Sequence, residues 1–285
     1  MVSFSIRIRA FLLLALLATA CAKTKDAKPV AVAGRDDNLA LGNPSGAVAS
    51  SSSPSNYLLV KDQYTLSYNR DQGKPNWVSW HLSSDWLGSA PRQDDFRADA
   101  DLPSGWYQVK ATDYSGSGFD RGHNCPSADR TTSVADNSAT FLMSNMMPQA
   151  PQNNQQTWAS LENYARSLAD AGNELYIVCG SYGKGGTGSA GYQTTIASGK
   201  VTVPARCWKV LVVLRAGKND VSRINANTRV IAVDIPNDNS LSSNWGSYRT
   251  SVDAIEDATG YNLLSAVPTG LQNNLEAKTD TGPTN

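Results

Sequence analysis

Gly118-Phe119-Asp120-Arg121-Gly122-His123-Asn124, continued to Ser160-Leu161-Glu162-Asn163-Tyr164-Ala165-Arg166, is the stretch on which the reading of this chain turns. It holds one of the two histidines in 285 residues, with Arg121, Arg130 and Arg166, the amides Asn145 and Asn154, and the carboxylates Asp120 and Glu162. That mixture suits phosphate-ester chemistry, which needs an activated water, a cation to neutralise phosphate charge, and donors matched to the transition state. His123 is the natural general base, because an imidazole with an ordinary pKa of about 6.5 is largely unprotonated at neutral pH. Asn154 offers a neutral oxygen ligand to Mg²⁺, an ion that takes few protein ligands and keeps most of its waters. Glu162 can hold those waters from the outer shell.

Between Gln156 and Gly172 the apolar residues Trp158, Leu161, Ala165 and Leu168 recur at steps of three and four, which predicts a helix with one buried face. Glu162 and Arg166 lie four apart on an adjacent stripe. Their plain structural reading is an i,i+4 salt bridge worth a few tenths of a kcal/mol (about 0.3–0.5). Arg130 reads as an ordinary surface contact.

An Asp-Arg-Gly-His core followed in order by Asn145, Asn154, Glu162 and Arg166 resembles the DNA/RNA non-specific endonucleases, the sugar-non-specific branch of the ββα-metal (His-Me finger) nucleases. Four residues alone recur by chance; the whole ordered set is specific, and the resemblance extends over roughly Tyr57 to Ala266. It implies that Asn154 binds the metal directly and that Glu162 acts on its water shell, with Mg²⁺ as the metal and Mn²⁺ able to substitute. It also implies that Arg121 and Arg166 grip the phosphate or the leaving group, to which a guanidinium presents a bidentate fork. A further phosphate-gripping arginine stands about thirty residues before the histidine in a Pro-Arg context; Arg92 fits that place, and Arg97 is the second choice. Asp120 orients a metal-bound water or fixes the site's geometry. Asn145 matches a family asparagine near the site, and its role is left open. Asn124-Cys125-Pro126 departs from the family, many of whose members carry an apolar residue and an alanine there.

Working outward, residues 1–20 carry Arg7 and Arg9, the apolar run Phe11 to Leu17, and small residues before Cys21. This reads as a signal peptide. A membrane span needs about 20 apolar residues, roughly twice what is present. Ala18-Thr19-Ala20-Cys21 resembles a bacterial lipobox, although Ala18 stands where leucine is commoner, so a lipid anchor on Cys21 and plain secretion both remain as expectations. Either places the protein outside the cytoplasm, periplasmic or extracellular. Residues 21–56, rich in Ser, Pro, Gly and Asn near their end, lack apolar periodicity and read as a flexible tether. Residues 57–275 then form the nuclease domain, and 276–285 a disordered tail.

With 25 basic and 25 acidic residues, loss of the two leader arginines leaves a mature chain near −2. Nucleic acid would therefore have to be held by a local arginine cluster rather than by overall charge. A 40% hydrophobic content in a chain of this length is enough for a sizeable core. Tyr64–Tyr68 and Trp77–Leu82 flank turn residues and predict a hairpin, with His81 a structural histidine in its second strand. Glu174–Cys179, Cys207–Leu214 and Arg229–Ile235 read as buried strands of a central sheet. Gly180 to Gly188 lacks the spacing of a phosphate loop and reads as a long hairpin turn. Thr250 and Asp253 predict a capped helix that stops at Gly260.

The cysteines left after processing, Cys125, Cys179 and Cys207, are odd in number in a disulfide-permissive compartment. Cys179 and Cys207, at facing strand ends, read as a disulfide worth about 3–4 kcal/mol on the loop-closure argument. No Cys-x2-Cys or His-x3-His spacing supports zinc.

The expected fold is α+β, a central mixed or antiparallel sheet flanked by helices, with a ββα-metal finger as active site. The expected function is metal-dependent endonucleolytic hydrolysis of DNA and RNA by a monomer, with little sequence specificity. A phosphodiesterase acting on smaller substrates and an inactive binding lipoprotein of the same fold are the rivals. The pattern carries no signal for an inhibitor protein.

Overall fold

The computed structural model describes residues 1–2 and 37–285. The leader over residues 1–20, lipidation at Cys21 and the first part of the tether lie outside those residues.

Strands β1 (Tyr57–Val60), β2 (Thr65–Asn69) and β3 (Lys74–Leu82) form a meander. β4 (Asp120–His123) follows after a long loop, then helix α1 (Val134–Ala139), β5 (Met146–Gln149) and helix α2 (Ala159–Asp170). β6 (Asn173–Tyr182) leads to an excursion carrying β7 (Gly186–Gly188), β8 (Gly191–Gln193), β9 (Thr195–Ile196) and β10 (Val201–Thr202). β11 (Arg206–Arg215), α3 (Asp220–Arg223), β12 (Arg229–Pro236), β13 (Arg249–Thr250), α4 (Val252–Thr259) and α5 (Thr269–Glu276) complete the described chain. The main sheet has seven strands in the order β1-β2-β3-β6-β11-β12-β13, and each neighbouring pair is antiparallel. Among the described residues no helix is long and apolar enough to cross a membrane.

The central strands are apolar on both sides because both faces of the sheet are covered. Along β6, Ile177 and Cys179 face a core that contains Trp158, Leu161 and Ala165 of the α2 region. The alternate residues Tyr176 and Val178 face a second core with Val252, Ile255 and Leu275 of α4 and α5. Period-two alternation thus divides one strand between two layers, and the expected α+β architecture is present. α4 is capped by Ser251, whose hydroxyl accepts from the Ala254 N–H at 3.2 Å, one residue later than Thr250. Gly260 ends the helix at φ +73°, a conformation costly for any side chain with a Cβ.

Four expectations give way to the structure. Residues 37–56 are packed rather than loose. Leu41 and Ala47 are buried, and the Ser45 hydroxyl accepts from the Trp77 indole N–H at 2.8 Å and donates to Asn56 Oδ1 at 2.6 Å. Short polar side chains that signal a linker by composition are here spent on turns and cross-links. The tail is anchored as well, because Asp280 pairs with Arg229 at 2.8 Å and Arg249 at 3.3 Å. The Gly183–Ala205 connection is an excursion with two small ribbons, not a turn.

Finally, Cys125, Cys179 and Cys207 are all free and buried. Cys179 lies opposite Lys209 and Cys207 opposite Ser181, so the two cysteines are diagonal neighbours. That separation, typically about 7–8 Å, is too wide for a disulfide without backbone movement. Burial pushes the thiols of Cys125 and Cys207 up to about 12, leaving them unreactive. Alkylation of unreduced, unfolded protein is expected to label both Cys179 and Cys207; recovery of a linked peptide pair would contradict this register.

Candidate active site

β4 and β5 pair antiparallel, with Asp120 opposite Gln149 and His123 opposite Met146. The chain then enters a helix whose first part, Asn153–Trp158, is wound as a π-helix leading directly into α2. The widened turn is a device often found at functional sites, and it sets Asn154 beside the hairpin. Asn154 Nδ2 donates to Asp120 Oδ2 at 2.9 Å, and Gln155 Nε2 donates to the same oxygen at 2.8 Å. An ionised carboxylate only accepts, so this contact fixes which end of the Asn154 amide is which. Asn154 Oδ1 has no partner among the described residues.

Arg92, Asp120, Arg121 and Asn154 line one open cleft of about 280 Å³, together with Asp94 and Phe96. Arg92 is held by Asp94 at 2.7 Å and by the Ser127 hydroxyl at 2.9 Å. Arg97, the second choice, is instead committed to Asp95 at 2.7 Å and to the Ser138 carbonyl at 2.9 Å. The imidazole of His123 adjoins Phe96, ring centroids 5.5 Å apart, and Phe141 at 5.0 Å edge-to-face. Arg121 lies over the Phe96 ring at 4.2 Å and Arg92 over the Phe141 ring at 4.8 Å. Two aromatic rings therefore separate the imidazole from two guanidinium groups and hold all three in fixed relation. Burial, aided by Arg92 and Arg121, lowers the His123 pKa to about 3. Its Nε2 is enclosed without a hydrogen-bond partner among the described residues.

This arrangement is accompanied by a clear family match: residues 41–270 fit the profile of the DNA/RNA non-specific endonucleases. The chain belongs to that family. It is 54% identical to a nuclease of Nostoc sp. over 243 residues, 85% of this chain and 86% of that one. Human mitochondrial endonuclease G is 35% identical over 167 residues, 56% of each chain. In fold it is similar to a solved structure described as the EndoG/EndoGI complex, with a TM-score of 0.65, 23% identity, and coverage of 81% of this chain and 91% of that one. The protein is thus an endonuclease, a hydrolase of phosphodiester bonds with a ββα-metal fold.

In this endonuclease Glu162 and Arg166 do not pair with each other. Glu162 accepts from Lys209 Nζ at 3.3 Å, and Arg166 binds Asp129 at 2.8 Å and the Asn163 amide oxygen at 2.6 Å. Lys209 is 1% exposed and Asp129 2%, so buried partners outcompete the weak bond along the helix surface. Lys209 also sits over the Trp158 ring at 4.1 Å. Burial pushes the Glu162 carboxyl up, and Lys209 and Arg166 pull it back.

Asn145 and Arg130 both lie in the interior. Asn145 is fully buried and makes no cleft contact; its Nδ2 donates to the carbonyls of Cys125 and Thr140, each at 2.9 Å, and its Oδ1 accepts from Cys125 N–H at 3.0 Å. It clamps the chain leaving His123 through backbone groups alone. Arg130 is likewise buried, donating to the carbonyls of Gln63 at 2.6 Å and His81 at 3.0 Å and lying 3.9 Å over Trp86. His81 has the structural place its strand pattern implies, with Nε2 3.3 Å from Glu174.

Phe96, Phe141, Asp129 and Lys209 carry no motif, and only their contacts reveal them. The family's metal dependence fits this donor set. Asn154 Oδ1 and the Asp120 carboxylate adjoin an open polar cleft, a small all-oxygen set of the kind a hydrated hard cation accepts.

Proposed function

We propose that the protein cleaves DNA and RNA internally with little sequence preference, using His123 as general base and Mg²⁺ held by Asn154, with Asp120 and Glu162 ordering its waters. The observation that carries this reading is the cleft in which Arg92, Arg121, Asp120 and Asn154 converge beside a half-buried imidazole. When bound, the cation supplies charge to stabilise the leaving oxygen. His123 takes a proton from water, whose oxygen bonds to phosphorus as the ester P–O bond breaks. Arg92 and Arg121 hold the phosphate oxygens, and Arg166, steadied by Asp129, adds positive charge alongside.

The same contacts account for a histidine too acidic to be a strong base in the free enzyme. Burial is the main cause of the depression, and phosphate bound between Arg92 and Arg121 offsets the smaller share that their two charges add, so the imidazole regains part of its basicity when substrate arrives. Because the free enzyme's pKa is lowered, neutral His123 persists well below pH 6.5. The acid limb of kcat/KM on plasmid DNA is expected below the ordinary histidine value; a limb at or above 6.5 would count against the environment described.

The decisive assay is digestion of plasmid DNA and of RNA by the purified mature protein, with Mg²⁺ or Mn²⁺ and with chelator. Cleavage of both, abolished by chelation, is expected. Turnover of a small aryl phosphodiester in preference to either polymer would favour the small-substrate reading, and no turnover at all the inactive lipoprotein.

Export is part of the proposal, resting on the apolar run and the small residues before Cys21. Mass spectrometry of mature protein is expected to find the N-terminus at Cys21 or just after it, with membrane contact only through a lipid there. Recovery of chains that begin at Met1 from the cell exterior would defeat this. The working unit is proposed to be a monomer, which sedimentation would check.

A further inference from the structure

We infer that the protein carries a second, structural divalent-cation site of the Ca²⁺ type, formed by Asp253 and Glu256 of α4 and Glu276 of α5. One carboxylate oxygen from each of the three lies within 4.8 Å of the other two. Ligands at 2.3–2.6 Å from a calcium ion stand at most about 5 Å apart, so the three match a single shell. The site is on the layer of α4 and α5, which packs on the face of the sheet opposite α2, and it does not depend on the catalytic reading above.

An acidic cluster alone would not support this. The deciding feature is Glu276, which is 4% exposed. Its Oε1 is enclosed and has no hydrogen-bond partner among the described residues. Among those residues no lysine or arginine forms a salt bridge with Asp253, Glu256 or Glu276. Glu276 is also the last residue of α5, where the helix dipole disfavours a negative charge. Asp253 and Glu256 have other uses, the first in the opening turn of α4 and the second accepting the Leu263 N–H at 2.6 Å. Glu276 shares side-chain hydrogen bonds with Gln272 and Glu256, which still leaves its Oε1 without one. A buried carboxylate, set against the dipole and beside two more carboxylates, is costly unless a proton or a cation shares the site, and a cation can serve all three at once. Burial and the neighbouring Glu256 accordingly push the Glu276 pKa up to about 7.

Calcium fits better than magnesium. Three carboxylates of unequal exposure on two helices give an irregular shell, which Ca²⁺ accepts and completes with water, whereas Mg²⁺ demands a near-ideal octahedron. The other close group of candidate ligands, His81, Glu174 and Asp220, already holds a cation, since Arg223 bonds to both carboxylates. Bound calcium would pin α5 to α4 and so secure Leu275, Val252 and Ile255 in the second core.

The test uses the full chain carrying Asn154→Ala, which removes the proposed cleft ligand, and CaCl2 as the probe at constant ionic strength. Calorimetry is expected to show one site with a dissociation constant of about 10⁻⁴–10⁻³ M, the range of extracellular calcium modules. The unfolding midpoint is expected to rise by roughly 2–6 °C at 10 mM calcium. Adding Glu276→Gln or Asp253→Asn is expected to remove both responses. Asp253 is the least buried of the three, so its variant tests the site even if Glu276→Gln folds poorly. Absence of calcium heat and of a midpoint shift in the Asn154→Ala protein, or a full response in both double variants, would overturn the inference.

Discussion

Replacing His123 with alanine is expected to lower the rate of plasmid cleavage by about 10²–10⁴-fold, the usual scale of general acid–base catalysis, with the fold and DNA binding retained. The other candidate side chains are committed elsewhere or cannot titrate: Asp120 accepts from the Asn154 and Gln155 amides and Asp94 is paired with Arg92. Arg92, Arg121 and Arg166 stay protonated at any working pH and can only donate. Asn154 does not titrate, and its Nδ2 is engaged by Asp120. Glu162 is tied to a buried lysine, and His81 lies buried against Glu174 in β3. The fold should survive because the imidazole's contacts are chiefly with Phe96 and Phe141, while the chain beyond it is clamped by Asn145. Circular dichroism and a gel-shift in chelator check those two conditions. Near wild-type cleavage by the variant with Mg²⁺ supplied would refute the mechanism whatever the fold.

The second large effect is on stability. Asp129→Ala is expected to destabilise the protein by about 3–5 kcal/mol, the cost of breaking a buried ion pair by removing one partner. Asp129 Oδ2 also accepts the Trp80 indole N–H at 3.0 Å, and Trp80 is buried, so truncation strands a donor as well as a guanidinium. Asp129→Asn keeps an acceptor for Trp80 and should cost less. Arg166 is released in both variants, so cleavage should fall even where the protein is fully folded. Urea unfolding separates the two readouts; an Asp129→Ala midpoint unchanged from wild type would show that the Arg166 contact contributes nothing.

Much of the domain was legible in the chain because its signals are local. Ile177-Val178-Cys179 and Leu211-Val212-Val213 read as buried strands on composition, and Trp158, Leu161 and Ala165 read as one helix face by spacing. The ordered set from Asp120 to Arg166 marked the catalytic region because family resemblance is itself a property of order and interval. Cleft chemistry was legible only to the extent that residue type limits role: an imidazole can be a base and an arginine cannot.

What the sequence by itself determined, then, was which residues could act and which elements would form. Only tertiary structure decided their partners. Glu162 and Arg166 lie at the spacing of a helix-surface pair, yet Lys209, forty-seven residues on, and Asp129, thirty-seven back, take them because a buried charge must be paired and a surface one need not be. Cys179 and Cys207 end facing strands, yet strand register sets them two residues out of step. Phe96 and Phe141 give no periodic or motif signal and still pack against the His123 imidazole. The serine-rich run before Tyr57 has a linker's composition, but the sheet face beneath it supplied the partners that turned its hydroxyls and amides into structure. Composition and spacing report what a residue can do over a few neighbours; the cost of leaving a buried charge or donor unpaired is fixed by residues far away in the chain.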